Sequence, residues 1–157
     1  MARDQFYWDS NSFSGYLNGE PEKVVDCEPV LKEAEKGHLL LVTSALTLAE
    51  VLFIRHGPKL PPEKREIVAT FFKADYITVR NVTRATSELA RDLFWDHSIQ
   101  PKDAVHIATA ILFKIPIFHT FDSELLAKTG ISINGHVLRI EKPHVTHQPD
   151  MLEANRS

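Results

Sequence analysis

A single cysteine, Cys27, excludes an internal disulfide and any zinc site built on cysteines. Asp26, Glu28 and Glu33 surround it with negative charge, a poor setting for a stabilised thiolate, so Cys27 reads as structural. No apolar run approaches the roughly 20 residues that a bilayer-spanning helix needs, and no apolar stretch near Arg3 and Asp4 could serve as a signal peptide. The expectation is a cytoplasmic protein. The chain has no internal repeat and no low-complexity segment. It also lacks a phosphate-binding P-loop, a glycine-rich dinucleotide fingerprint and a Gly-x-Ser-x-Gly elbow. Ser10, Ser44 and Ser123 have no evident His/Asp partners for nucleophilic catalysis. Basic charge is not in surplus either: the formal net charge is −3.

What the chain does have is a set of four acidic residues at four separate junctions. Asp9 lies in Tyr-Trp-Asp-Ser-Asn-Ser, Glu50 in Leu-Thr-Leu-Ala-Glu-Val-Leu-Phe, Asp103 in Gln-Pro-Lys-Asp-Ala-Val-His-Ile-Ala, and Asp122 in Phe-His-Thr-Phe-Asp-Ser. A carboxylate among core-forming residues is costly unless its charge is compensated, and four together would repel. The simplest compensation is a hard divalent cation held by oxygen ligands, Mg²⁺ or Mn²⁺. With these four set aside, the remaining 17 acidic residues face 18 lysines and arginines. Charge therefore does not exclude a nucleic-acid substrate.

The 157 residues suit one domain with a proper core, and 43% hydrophobic with 25% charged residues reads as globular. Phe6 to Asp9 predicts a first strand, followed by a polar, glycine-containing stretch to Gly19. Pro21 opens a helix to about Gly37, with Pro29 as a complication inside it. Leu39 to Thr43 predicts a buried strand, and Ser44 caps a helix to about Gly57. Pro61 or Pro62 starts a helix to about Phe72. Tyr76 to Val82 predicts a third strand, Thr83 a cap for a helix to His97, and Pro101 a helix to Lys114. Ile115 to Thr120 and Val137 to Ile140 complete five strands. Alternation of strands and helices predicts a three-layer α/β/α fold around a mostly parallel sheet of about five strands. The expected domain spans residues 1–141, with a polar tail at 142–157.

Ligands of such sheets bind beyond the carboxyl ends of the strands, where Asp9 and Asp122 both fall. Glu50 is the only charge between Ser44 and Ile54, and its helical neighbours Leu46, Phe53 and Ile54 predict partial burial. Asp103 could serve only the helix dipole in the first turn after Pro101, but it shares a face with the inward-pointing Ile107, Ala110 and Ile111. Asp9 and Asp122 could be simple caps. Ser10, Asn11 and Thr120 add polar groups at the same edge, able to orient carboxylates or hold bound water. His106, three residues after Asp103, reads as a core residue or a support close to the site. The densest basic stretch supplies Arg55, Lys59, Lys64 and Arg65, either an ordinary loop or a lip that contacts phosphates. Tyr7 and Trp8 read as core, leaving Phe13 or Tyr16 for stacking on bases.

These pieces together resemble the PIN-domain ribonucleases, most closely the small VapC-type toxins of prokaryotic toxin–antitoxin pairs. The matching pieces are Asp9-Ser10-Asn11, Ser44-x-x-Thr47-Leu48-Ala49-Glu50-Val51, Asp103-Ala104-x-His106-Ile107-Ala108-Thr109-Ala110 and Thr120-Phe121-Asp122, in order, from Phe6 to about Ile140. The stretch from Glu20 to Gly37 and the segment after Glu141 lie outside the matched pieces. The resemblance implies a metal-dependent endoribonuclease in which Asp9, Glu50, Asp103 and Asp122 hold one or two Mg²⁺ or Mn²⁺ ions. Ser10, Asn11 and Thr120 carry over as supporting polar groups. It further implies an RNA substrate, a homodimer and an antitoxin partner. Two other functions fit parts of the pattern. One is a non-catalytic RNA- or protein-binding module on the same fold. The other is an aspartate-based phosphatase, against which stands Asn11, where a second aspartate would be needed.

Overall fold

The computed structural model describes residues 3–51 and 61–145. Within them the chain forms β1 (Asp4–Trp8), α1 (Ser10–Leu17), α2 (Pro21–Glu35), β2 (Leu39–Ser44), α3 (Ala45–Glu50), a 3₁₀ turn (Pro62–Lys64), α4 (Arg65–Phe71), β3 (Ile77–Arg80), α5 (Arg84–His97), α6 (Pro101–Leu112), β4 (Ile117–His119), α7 (Ser123–Leu126), β5 (Ile131–Ile133) and β6 (His136–Glu141). The sheet runs β3-β2-β1-β4-β6-β5. All neighbours are parallel except β5, which pairs antiparallel with β6.

Strand alternation divides the core into two layers. In β1, Phe6 and Trp8 pack on one face with Phe13, Cys27, Val30, Leu31, Val68 and Phe72 from α1, α2 and the α4 region. Tyr7 points to the other face, against Ala90, Leu93, Ile107, Ala108 and Ile111 of α5 and α6. The result is the expected α/β/α sandwich. Cys27 is fully buried within the first layer, and burial pushes its thiol up to about 12, as a structural cysteine requires.

Three local outcomes differ from the sequence expectation. The sheet has six described strands rather than five. The extra one, β5, forms a hairpin with β6 through Asn134-Gly135, both at positive φ (50° and 82°), the backbone that an Asn-Gly turn favours. The polar stretch after β1 is a helix, α1, because Asp9 caps it by accepting the Ser12 N–H and because Phe13 is fully buried. α2 passes through Pro29, which lies on its exposed side, so the missing backbone donor faces water. The expected continuation of α3 toward Gly57 lies outside the described residues.

β1 sits at the centre of the sheet. The chain leaves it toward β2 on one side, while β4 pairs on the other. This reversal of strand order opens a crevice at the carboxyl ends of β1 and β4, with Trp8 opposite His119 in register.

Candidate active site

Asp9 follows β1 directly and is 2% exposed. Its Oδ1 accepts the Ser12 N–H and the Ser12 hydroxyl, both at 3.1 Å, and its Oδ2 accepts the Thr120 hydroxyl at 2.5 Å. Thr120 in turn accepts the Asp122 N–H at 3.1 Å, which ties the ends of β1 and β4 into one network. Burial nevertheless outweighs these bonds and raises the Asp9 carboxyl above its ordinary value. Asp122 caps α7, its Oδ1 accepting the N–H groups of Glu124 (2.8 Å) and Leu125 (3.3 Å).

Glu50 closes α3. Burial pushes its carboxyl up, but the hydrogen bond of His106 together with lesser contributions, Ser10 and Lys102 among them, outweighs it and holds Glu50 below the usual range. His106 Nε2 stands 2.7 Å from Glu50 Oε1. Asp103 lies in the first turn of α6, on the side that carries the buried Ile107 and Ala110. Its carboxyl is raised to about 6 by burial first, then by the charges of Asp122, Asp9 and Glu50. A carboxyl pushed up by three others shows that all four share one electrostatic neighbourhood.

Glu50, Asp103 and Asp122 line one cleft of about 620 Å³, together with Ser10, Asn11, Ser14, Gln100, Pro101 and Lys102. Asp9 is absent from that lining; it lies buried behind it. Among the described residues, no three His, Cys, Asp or Glu side chains are disposed to close around a metal ion by themselves. The cleft carboxylates still match the hard-oxygen preference of Mg²⁺ or Mn²⁺, ions that keep several waters and take only one or two protein carboxylates directly. The raised Asp103 carboxyl is the mark of a negative cluster that a cation would relieve.

Other expected participants are distributed differently. Ser10 and Asn11 line the cleft, and Thr120 supports it from beneath. Arg55 and Lys59 lie outside the described residues. Lys64 and Arg65 are exposed at the start of α4, and Arg65 lines a second, largely apolar groove with Leu48, Val68, Ala69, Phe72, Lys73 and Val79, not the carboxylate cleft. Among the described residues, the cation that lines the cleft is Lys102, which stands alone in sequence rather than in a basic run. Its position beside Asp103 in the same helical turn was the available signal. Phe13 is unable to stack on a base: it is fully buried against Trp8, Phe71 and Phe72. Tyr16 is half-buried and packs on Phe71.

Three comparisons bear on this arrangement. A family model described as "PIN domain" matches residues 6–131. Among solved structures, a chain from a structure titled "Toxin-antitoxin complex from Klebsiella pneumoniae" is similar with a TM-score of 0.54 and 17% identity, covering 88% of this chain and 97% of that one. Comparison with curated proteins found no match.

Proposed function

This chain belongs to the PIN domain family, and from that premise we propose that it is a metal-dependent endoribonuclease, the toxin of a toxin–antitoxin pair. The observation that carries the reading is the convergence of Glu50, Asp103 and Asp122 on one cleft, with Asp9 buried behind it, at the point where strand order reverses. Asp9, Glu50, Asp103 and Asp122 would hold one or two Mg²⁺ or Mn²⁺ ions, in part through water. When bound, the metal supplies a water of lowered pKa for in-line attack on phosphorus and offsets charge on the leaving 3′-oxygen, giving 5′-phosphate and 3′-hydroxyl ends.

The chain's own residues supply position and field. Thr120 and Ser12 hold the Asp9 carboxylate in one orientation. The α7 cap fixes Asp122 through Oδ1. Lys102, on the cleft wall, is suited to pair with a substrate phosphate that the carboxylates would otherwise repel. Residues 1–141 would form the nuclease domain and 142–157 a tail. An antitoxin partner, supported by likeness of fold to a chain of a toxin–antitoxin complex, and a homodimer complete the proposal.

The test is cleavage of several defined RNAs by wild type and by Asp9→Asn and Asp103→Asn, with Mg²⁺ or Mn²⁺ and with EDTA. Cleavage should need the metal and fall by about 100-fold or more in either variant, the scale on which removal of a charge-stabilising group acts. Metal-independent RNA binding without cleavage would transfer the chain to the non-catalytic reading.

A further inference from the structure

Behind Glu50 lies a chain of two buried groups with no access to the cleft. Tyr7 is fully buried and His106 is 1% exposed. The Tyr7 hydroxyl stands 2.6 Å from His106 Nδ1, and His106 Nε2 stands 2.7 Å from Glu50 Oε1. Tyr7 comes from β1, His106 from α6 and Glu50 from α3, so three elements meet in this line.

The direction of the bonds follows from counting protons. A phenol keeps its proton at neutral pH, and the Tyr7 hydroxyl lies within hydrogen-bond reach of His106 Nδ1. Ionised Glu50 can only accept, so the His106 Nε2 facing it at 2.7 Å carries the ring proton, which leaves Nδ1 as an acceptor. The Tyr7 O–H therefore donates to His106 Nδ1. With Nδ1 accepting, the ring proton of neutral His106 resides on Nε2 and donates to Glu50.

We propose that Tyr7 and His106 are positioning residues for Glu50: a relay of donors from the sheet floor fixes the His106 tautomer, and through it the orientation of the carboxylate presented to a cation. This deepens the reading of Glu50 as a metal ligand and rests on it. His106 is no general acid or base in this arrangement, because both ring nitrogens are occupied and the ring does not line the cleft. α6 thereby carries two functions three residues apart, Asp103 to the cleft and His106 to the back of Glu50. A partner that fixes a ligand from behind governs affinity and geometry rather than the chemical step.

The experiment uses the full chain and Mn²⁺ as the probe, without RNA. Calorimetric Mn²⁺ affinity is measured for wild type, Tyr7→Phe, Glu50→Gln and the double variant, with thermal melts to establish folding. Tyr7→Phe should weaken binding about tenfold, the lower range for partners behind metal ligands. In the Glu50→Gln background it should cost nothing further, because its effect passes through Glu50. In the metal-free wild type, nitrogen NMR of the His106 ring should show the Nε2–H tautomer, and Tyr7→Phe should mix the two tautomers.

Multiplying losses in the double variant, or a proton on Nδ1 in wild type, would overturn the relay. An effect of Glu50→Gln with none of Tyr7→Phe would overturn the relay and leave the ligand assignment standing. No loss of affinity in Glu50→Gln would remove both. Should Tyr7→Phe not fold, His106→Gln takes its place in the cycle, since its amide can still donate toward Glu50. It should retain affinity that His106→Leu loses, and equal losses in those two overturn the relay.

Discussion

Asp103 is the residue whose titration should report the cluster. Burial and the charges of Asp122, Asp9 and Glu50 raise its carboxyl to about 6, so in the metal-free fold its ionised form is disfavoured relative to the unfolded chain. The penalty is absent below about pH 4, where the carboxyl is protonated in both states, and complete above about pH 6, where it is ionised in both. Asp103→Asn should therefore raise the Tm in EDTA at pH 7.5, with the gain shrinking between pH 6 and 4 and vanishing below. The comparison must be variant against wild type, because His119 works in the opposite sense. Burial, then the charge of His144, pushes it down to about 3, while its Nδ1 accepts the Trp8 indole N–H at 2.9 Å. A depressed histidine contributes stability above its unfolded value that is lost as pH falls toward its folded one, in both proteins alike. Melts at half-unit pH intervals supply the measurement. An unchanged Tm at pH 7.5 would mean that Asp103 is not in the crowded field described. At this scale the acids were legible in the sequence because an isolated charge on an apolar helical face, as at Glu50 and Asp103, contradicts its surroundings. The supporting roles were not: that Tyr7 and His106 line up behind Glu50 depends on side chains 99 and 56 positions apart in sequence, and no spacing rule reaches that far.

At the scale of elements, caps and carboxylates overlap, and the two functions can be separated. Asp122 caps α7 through Oδ1 while also lining the cleft. Serine and asparagine cap nearly as well as aspartate. Asp122→Ser should therefore leave the Tm close to wild type and still abolish metal-dependent cleavage. A stability loss accompanied by full activity would reduce Asp122 to a cap. The converse case is Thr83, which forms a reciprocal capping box with Thr86 at the start of α5 and does not line the cleft. Thr83→Ala should cost about 1 kcal/mol and lower the Tm by about 2–4 °C with cleavage unchanged at 25 °C. Helices with strong signals were readable in advance: α2 and α6 open on proline, and α5 on a threonine cap. α1 was not, because Ser-Asn-Ser-Phe-Ser-Gly consists largely of poor helix formers, and its helix is held by the Asp9 cap and by burial of Phe13 against α2 and the sheet. β5 is three residues long, and its one marker, Asn134-Gly135, identifies a hairpin rather than a strand.

For the whole molecule the decisive property is that four acids from four separate segments are gathered where the sheet reverses its order, and that the fold must bear their repulsion. A fold built this way should be stabilised by the cation that relieves it. Any ligand that binds only the folded state adds stability that grows with its concentration, about 2.7 kcal/mol at one hundred times Kd. For a domain of this size that corresponds to a rise in Tm of about 5–10 °C. Mg²⁺ or Mn²⁺ titrated into the EDTA-treated wild type at pH 7.5 should therefore raise the Tm progressively, whereas Asp103→Asn should start from a higher Tm, Glu50→Gln from a lower one because His106 stabilises the Glu50 carboxylate, and both should respond much less. The pairing of the two trends is what discriminates. Nonspecific screening by salt would raise all three proteins together and would be reproduced by Na⁺ at matched ionic strength. A site built from these carboxylates predicts that removing either one blunts the response to the ion, whichever way the starting Tm moves. Equal responses in wild type and variants would mean that the divalent ion binds elsewhere, and the cleft between β1 and β4 would lose its claim to be a metal centre.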